Sequence, residues 1–256
     1  MITAPRRPQA PFWVLSDVHL YHGGDAYLEQ FLDFLGRAVG EAKTLYIAGD
    51  LFEFWIGDRQ GSLAFYRPLF ERLGAASEAG LNLGIMQGNR DFLLGQRFAE
   101  AGCELLPDEL ILDLAGQRVH LSHGDQFCLE DRSYLRARTV MRSRPARAVA
   151  ACLPASLGLL LARSYRGISE RKKARKKMLT GNRFHTVERG VRSTLQDLDL
   201  DGLICGHIHW PRDQWLDVAG RRRRVITTGA WEEGPNLVVF DGKSLELRQF
   251  PALEGG

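Results

Sequence analysis

Residues 12–19 read Phe12-Trp13-Val14-Leu15-Ser16-Asp17-Val18-His19: four apolar residues, a small polar one, then a carboxylate and an imidazole two positions apart. A short apolar run that stops at a small polar residue marks a buried strand. The same pattern recurs at residues 44–47 ahead of Gly49-Asp50, and at residues 83–86 ahead of Gly88-Asn89. Between these runs lie residues at helical spacing, Leu28, Phe31, Leu32 and Leu35, then Leu69, Leu73 and Ala76. Strand and helix alternate as βαβ units require, so the first third of the chain reads as α/β.

Further strands are expected at 110–114, 118–121, 203–205, 214–217, 224–227, 237–240 and 244–249. Several are joined by Gly-punctuated turns, and the carboxyl-terminal part reads as a β-meander. The arginine run at 221–224 is expected in a hairpin, as a solvated guard on an edge. From 131 to 200 the pattern turns helical, with an apolar piece at 148–162 broken by Pro154 and Gly158. That segment reads as a helical insertion within a core made of 1–130 and 201–256.

With 256 residues and 45% hydrophobic content, the chain can bury the core of one α/β domain that carries an insertion. Its 34 basic and 31 acidic side chains are too balanced to indicate a nucleic-acid partner, and none is expected. The distribution says more: the first 130 residues are acid-rich and the segment from Arg132 to Arg192 is basic, which suggests a surface facing an anionic partner. Cys103, Cys128, Cys152 and Cys205 show no C-x-x-C spacing, which points to a reducing cytoplasm. No apolar stretch follows the first ten residues or reaches the roughly 18 needed to cross a bilayer, so a chain neither secreted nor membrane-spanning is expected.

Five polar clusters follow strands: Asp17-Val18-His19, Gly49-Asp50, Gly88-Asn89-Arg90-Asp91, His123-Gly124-Asp125 and Gly206-His207-Ile208-His209. In open α/β sheets, ligands bind beyond the carboxyl ends of the strands, where these clusters would converge. Imidazoles, carboxylates and an amide oxygen make a mixed site suited to manganese, iron or zinc. One D-x-H or H-x-H is weak evidence; five clusters in order are not. The glycines before Asp50, Asn89 and His207 let backbone approach a ligand closely. Cys205 is expected to point into the core. His22, His120 and His185 read as surface or hydrogen-bonded histidines, and Asp91 and Asp125 as orienters of neighbouring ligands. Glu53 and Asp58 follow the second motif closely enough to approach the site, with a structural role equally open.

The ordered motifs resemble the calcineurin-like metallophosphoesterases over residues 12–240. The resemblance implies their fold, a two-sheet β-sandwich flanked by helices (αββα), with 131–200 as a helical lid. It implies two divalent metal ions, manganese by preference. One would be held by Asp17, His19, Asp50 and His209, the other by Asp50, Asn89, His123 and His207, with Asp50 bridging. In the superfamily the third motif often carries a histidine after the Asn; here Arg90 stands there, and arginine is no acid near neutral pH.

The Gly88-Asn89-Arg90-Asp91-Phe92 form, the stretch from Gly49 to Trp55, Cys128 after His123-Gly124-Asp125, and Gly229-Ala230-Trp231 are similar to the UDP-2,3-diacylglucosamine diphosphatase family of lipid A biosynthesis. That resemblance implies an acylated UDP-sugar substrate, catalysis through Asp50, Asn89, Arg90 and His123, and substrate contacts from Asn89, Arg90, Asp131, Ser169, Lys173, Lys176 and His207. It also implies a monomer lying on the anionic cytoplasmic face of the inner membrane. Lys173 departs from the asparagine usual in that family. Two other readings stay open: a metallophosphoesterase of nucleotides or other phosphate esters, and a non-catalytic scaffold that binds phosphate or nucleic acid.

Overall fold

Alternation along β1 (Phe12–Leu15) sorts its side chains between two cores: Phe12 and Val14 point one way, Trp13 and Leu15 the other. The computed structural model describes residues 4–129, 132–141, 143, 145 and 184–250. Within it β1, β2 (Thr44–Ala48), β3 (Asn82–Met86) and β4 (Cys103–Leu105) run parallel, as βαβ units do. On the other side of β1, β10 (Asn236–Phe240) pairs antiparallel and carries β11 (Leu245–Gln249) at the edge. A second sheet has the order β5 (Glu109–Leu114), β6 (Gln117–Ser122), β7 (Gly202–Cys205), β9 (Arg221–Thr227), β8 (Arg212–Val218).

The two sheets face each other across one core, where Phe12, Val14, Tyr46 and Met86 meet Leu110, Leu121, Ile204 and Ile226. Burying each large apolar side chain stabilises the fold by about 1.5–3 kcal/mol. The outer face of the first sheet buries Trp13, Leu45, Ile47 and Ile85 with α1 (Asp25–Glu41), α2 (Arg67–Glu78) and α3 (Gln96–Glu100). Phe31 and Leu35 of α1, with Leu69 and Leu73 of α2, form the matching apolar stripes. The outer face of the second sheet packs on α5 (His185–Asp197) through Val187, Val191 and Leu195. The result is the αββα layering. Helix α5 falls inside the segment read as lid, yet it supplies the fourth layer of the core. Helix α4 (Arg132–Met141) follows the fourth motif.

Two expectations need correction. The carboxyl-terminal strands are not one meander: the β8–β9 hairpin lies in the second sheet and the β10–β11 hairpin in the first. The chain crosses between sheets after Thr227 by way of Gly229, which sits at φ +77° where a Cβ would strike Pro211. The arginines at 221–224 do lie in the β8–β9 hairpin, and β7 pairs with β9 only from Arg224 onward, but they are not a uniformly solvated guard. Arg223 is buried, and its guanidinium donates to the carbonyls of Leu195 and Leu200. Among the described residues no helix is long and apolar enough to cross a membrane.

Candidate metal centre

The loops after the strands continue the sheets' register. Asp17 N donates to Gly49 O at 3.1 Å and His19 N to Asp50 O at 3.1 Å, while Gly206 N donates to His123 O at 2.9 Å. The first, second and third motifs thus leave one sheet, and the fourth and fifth leave the other, at the same end of the sandwich. Asp17, His19, Asp50, His207 and His209 all have positive φ, between 53° and 68°. That region costs an L residue roughly 1–2 kcal/mol and is tolerated best by Asn, Asp and His. Its concentration at five ligand candidates shows a backbone bent to aim side chains inward.

The glycines serve that bend in different ways. Gly49 has φ +89°, which favours glycine. Gly88 and Gly206 are needed for space: a Cβ at Gly88 would lie 2.1 Å from Asp50 Oδ1, and one at Gly206 would lie 2.2 Å from Asp17 Oδ2.

The seven candidates converge. His19 Nε2 and His209 Nε2 lie 3.1 Å apart, with Asp17 Oδ1 at 3.7 Å from the first and 3.3 Å from the second. Asn89 Oδ1 lies 2.8 Å from His123 Nε2 and 3.0 Å from His207 Nδ1, and Asp50 Oδ1 is 3.7 Å from His123 Nε2. Two clusters have ligand atoms within 4.8 Å of one another, Asp17/His19/His209 and Asp17/Asp50/His123. Asp17 therefore faces both positions, as Asp50 was expected to. His123 Nδ1 lies 3.0 Å from the carbonyl of Ala48, which only accepts, so Nδ1 carries a proton and Nε2 is the nitrogen turned toward Asn89 and Asp50.

Electrostatics say what the pocket takes. Burial pushes Asp50 up to about 7, with the Asp91 and Asp17 charges adding to the rise and His123 opposing it. Burial alone would also raise Asp17, but the hydrogen bond and charge of His209, with His123 and His19, hold it well below the ordinary range. Burial, reinforced by His123, lowers His207 to about 3, which keeps it a neutral imidazole able to give a lone pair. Asp50 Oδ2 is buried with no hydrogen-bond partner, and two imidazole nitrogens sit at 3.1 Å where both cannot donate. A buried set of carboxylates and converging imidazole nitrogens, with His207 held neutral, fits divalent cations.

Supporting residues fall into place around it. Asp91 accepts from the backbone N–H groups of Gly88 at 2.7 Å, Asp50 at 3.2 Å and Phe52 at 3.3 Å, tying the second motif to the third. Asp125 holds Arg138 of α4 at 2.7 Å. His120 is buried with Nε2 3.0 Å from Glu109, His185 is exposed beside Glu188, and the His22 ring lies against Phe65, all away from the centre. Cys205 is buried in the apolar core beneath the fifth motif. Cys128 Sγ lies 3.4 Å from His207 Nε2. Arg90 is buried and lies 3.5 Å from Asp50 Oδ2 through Nε, with a short bond from Nη1 to Glu53. Asp58 faces away, accepting from Arg97 N. Of the two residues left open after the second motif, Glu53 reaches the centre, its one signal in the sequence being a position three past Asp50. Asp131, Ser169, Lys173 and Lys176 lie outside the described residues.

Residues 10–211 match the family described as calcineurin-like phosphoesterase. The chain belongs to that family. Over more than nine-tenths of its length it is also similar to proteins named UDP-2,3-diacylglucosamine hydrolase. That of Pseudomonas aeruginosa (strain UCBPP-PA14) is 35% identical over 238 residues, 93% of this chain and 98% of its own. That of Xanthomonas oryzae pv. oryzae (strain PXO99A) is 35% identical over 92% of this chain and 97% of its own. Among solved structures, an archaeal phosphodiesterase is 13% identical, covers 93% of this chain and 99% of that one, and has a TM-score of 0.46. As a calcineurin-like phosphoesterase the chain is a hydrolase that uses divalent metal ions, and the strand-end clusters are where its residues fit them.

Proposed function

We propose that this chain hydrolyses the diphosphate of UDP-2,3-diacylglucosamine by attack of water on the α-phosphorus, releasing UMP and 2,3-diacylglucosamine 1-phosphate (lipid X). The observation that carries the substrate is the end-to-end similarity to relatives of that name, 93% of this chain against 98% of theirs. Asp17, His19, Asp50 and His209 hold one ion, and Asp50, Asn89, His123 and His207 the other. Manganese suits this mixture of oxygen and nitrogen donors. Two divalent ions lower the pKa of water and neutralise phosphoryl charge when bound.

The chain's own residues do the rest. Arg90 stays charged, so it clamps phosphoryl oxygens and leaves the departing group unprotonated. A diphosphate suits that limit, because its leaving group is a sugar phosphate already stable as an anion. Asn89 and His207 reach the same phosphate from the other side. We assign the segment from residue 131 up to α5 as the lid, with Asp131, Ser169, Lys173 and Lys176 as its contacts to the sugar and acyl chains. Its basic residues would rest on the anionic cytoplasmic face of the inner membrane, with the protein acting there as a monomer.

Turnover in oxygen-18 water is the test. UMP is expected to carry the label, and label in the sugar phosphate would refute α-attack. Asp50→Ala and His123→Ala should each abolish UMP release while circular dichroism stays that of the parent. Manganese should restore release to chelated protein; full activity in chelator would overturn the metal assignment.

A further inference from the structure

Glu53 is 6% exposed and sits between a metal-ligand candidate and the phosphate-clamp candidate. Its oxygens divide the work: Oε2 lies 3.4 Å from His19 Nδ1, and Oε1 accepts the short bond from Arg90 Nη1. The backbone leaves it little freedom. Glu53 N donates to Leu20 O at 2.9 Å, one residue past His19, and Trp55 N donates to Arg90 O at 3.0 Å. The loop carrying Glu53 is therefore stitched to the first motif on one side and to the third on the other.

We infer that Glu53 is a positioning residue that couples the two halves of the centre, fixing the tautomer of His19 and holding Arg90 off Asp50. The inference rests on the reading of His19 as a ligand and Arg90 as the clamp. The carboxylate beside Nδ1 is not in hydrogen-bond geometry with it, but its negative charge favours the tautomer that carries the proton on that side and turns the Nε2 lone pair toward Asp17 and His209. Glu53 also neutralises Arg90, a buried charge that would otherwise need another partner. The nearest one is Asp50, whose Oδ2 is already 3.5 Å from Arg90 Nε. Without Glu53, Arg90 closes on Asp50 and competes with the cations for that carboxylate.

Glu53→Gln separates this role from packing. The amide keeps the volume, loses the charge, and presents N–H groups that disturb the His19 tautomer. Calorimetric titration with manganese should show one of two ions bound about 10–100-fold more weakly in Glu53→Gln, the usual penalty for losing a ligand's outer partner. The unfolding midpoint in chelator should stay that of the parent. Adding Arg90→Met should return part of the lost affinity, because the competing cation is gone, and the double variant keeps the comparison open if the single one folds poorly. Parental affinity for both ions in Glu53→Gln, or no recovery in the double variant, overturns the coupling. A parent that binds fewer than two ions would instead bring down the metal assignment itself.

Discussion

Gly88 matters for what it lacks. A Cβ there would lie 2.1 Å from Asp50 Oδ1 and 2.4 Å from Asp50 N, and neither atom belongs to a flexible side-chain end that can swing away. Gly88→Ala must push the second and third motifs apart, and a displacement near 1 Å at a reacting centre costs about 100-fold in rate. We expect turnover to fall by at least that factor. Gly74→Ala is the control: it lies in α2 with open space around it, and should raise stability by about 0.5–1 kcal/mol with turnover unchanged. Steady-state rates and thermal melts of both variants decide the matter; parental turnover in Gly88→Ala would sink it. At this scale the sequence was unusually readable. Ligand candidates such as Asp17 and His207 stand at strand ends, beside small residues, in an order that few other sites share. Glu53 was harder to see, because its contact with His19 depends on a turn between Asp50 and Trp55 and not on any spacing.

At the scale of elements, β9 carries four consecutive arginines that a sequence pattern treats alike. Pleating separates them. Arg221 pairs with Asp199 and Asp201 at the surface, Arg222 lies over Trp215, and Arg224 pairs with Asp213. Arg223 turns inward and donates to the carbonyls of Leu195 and Leu200, closing the end of α5 against the second sheet. Its loss takes the charged donor from Leu200 O and one of two donors from Leu195 O, which also accepts from Leu200 N, so Arg223→Ala should cost about 1.5–3 kcal/mol, whereas Arg222→Ala should cost less than about 1 kcal/mol. Urea unfolding curves measure both; equal midpoints for the two variants would contradict the assignment. The run looked uniformly solvated because a one-dimensional pattern does not show which arginine the pleat turns inward. Strand β4 was missed for a related reason: of its three residues only Cys103 is buried, so it has no apolar run to announce it. The strands that were read correctly, such as residues 44–47 within β2, are buried along their whole length.

For the whole molecule, the centre sits where two separate sheets open at the same end. Asp17, His19, Asp50 and Asn89 come from the first sheet, while His123, His207 and His209 come from the second. Cations held between them by the proposed ligand set would tie the layers together where the inter-sheet core gives way to polar loops. The buried carboxylates Asp17, Asp50 and Asp91 repel one another there, so the same charges that bind the ions work against the metal-free fold. A ligand that binds only the native state at 100 times its Kd stabilises by about 2.7 kcal/mol, and a chain of this size gains about 2–4 °C for each kcal/mol. Chelation should therefore lower the unfolding midpoint by about 5–10 °C for each ion removed. Hydrogen exchange should locate the change: amides in the loops after β1, β2, β6 and β7 exchange faster without metal, while those of α2 do not. The shift should shrink in Asp50→Ala/His123→Ala, which takes two ligands from one ion and leaves Asp17, His19 and His209 for the other. An undiminished chelator-dependent shift in that double variant, or exchange that rises uniformly over the chain, would show that the cations do not bridge the sheets.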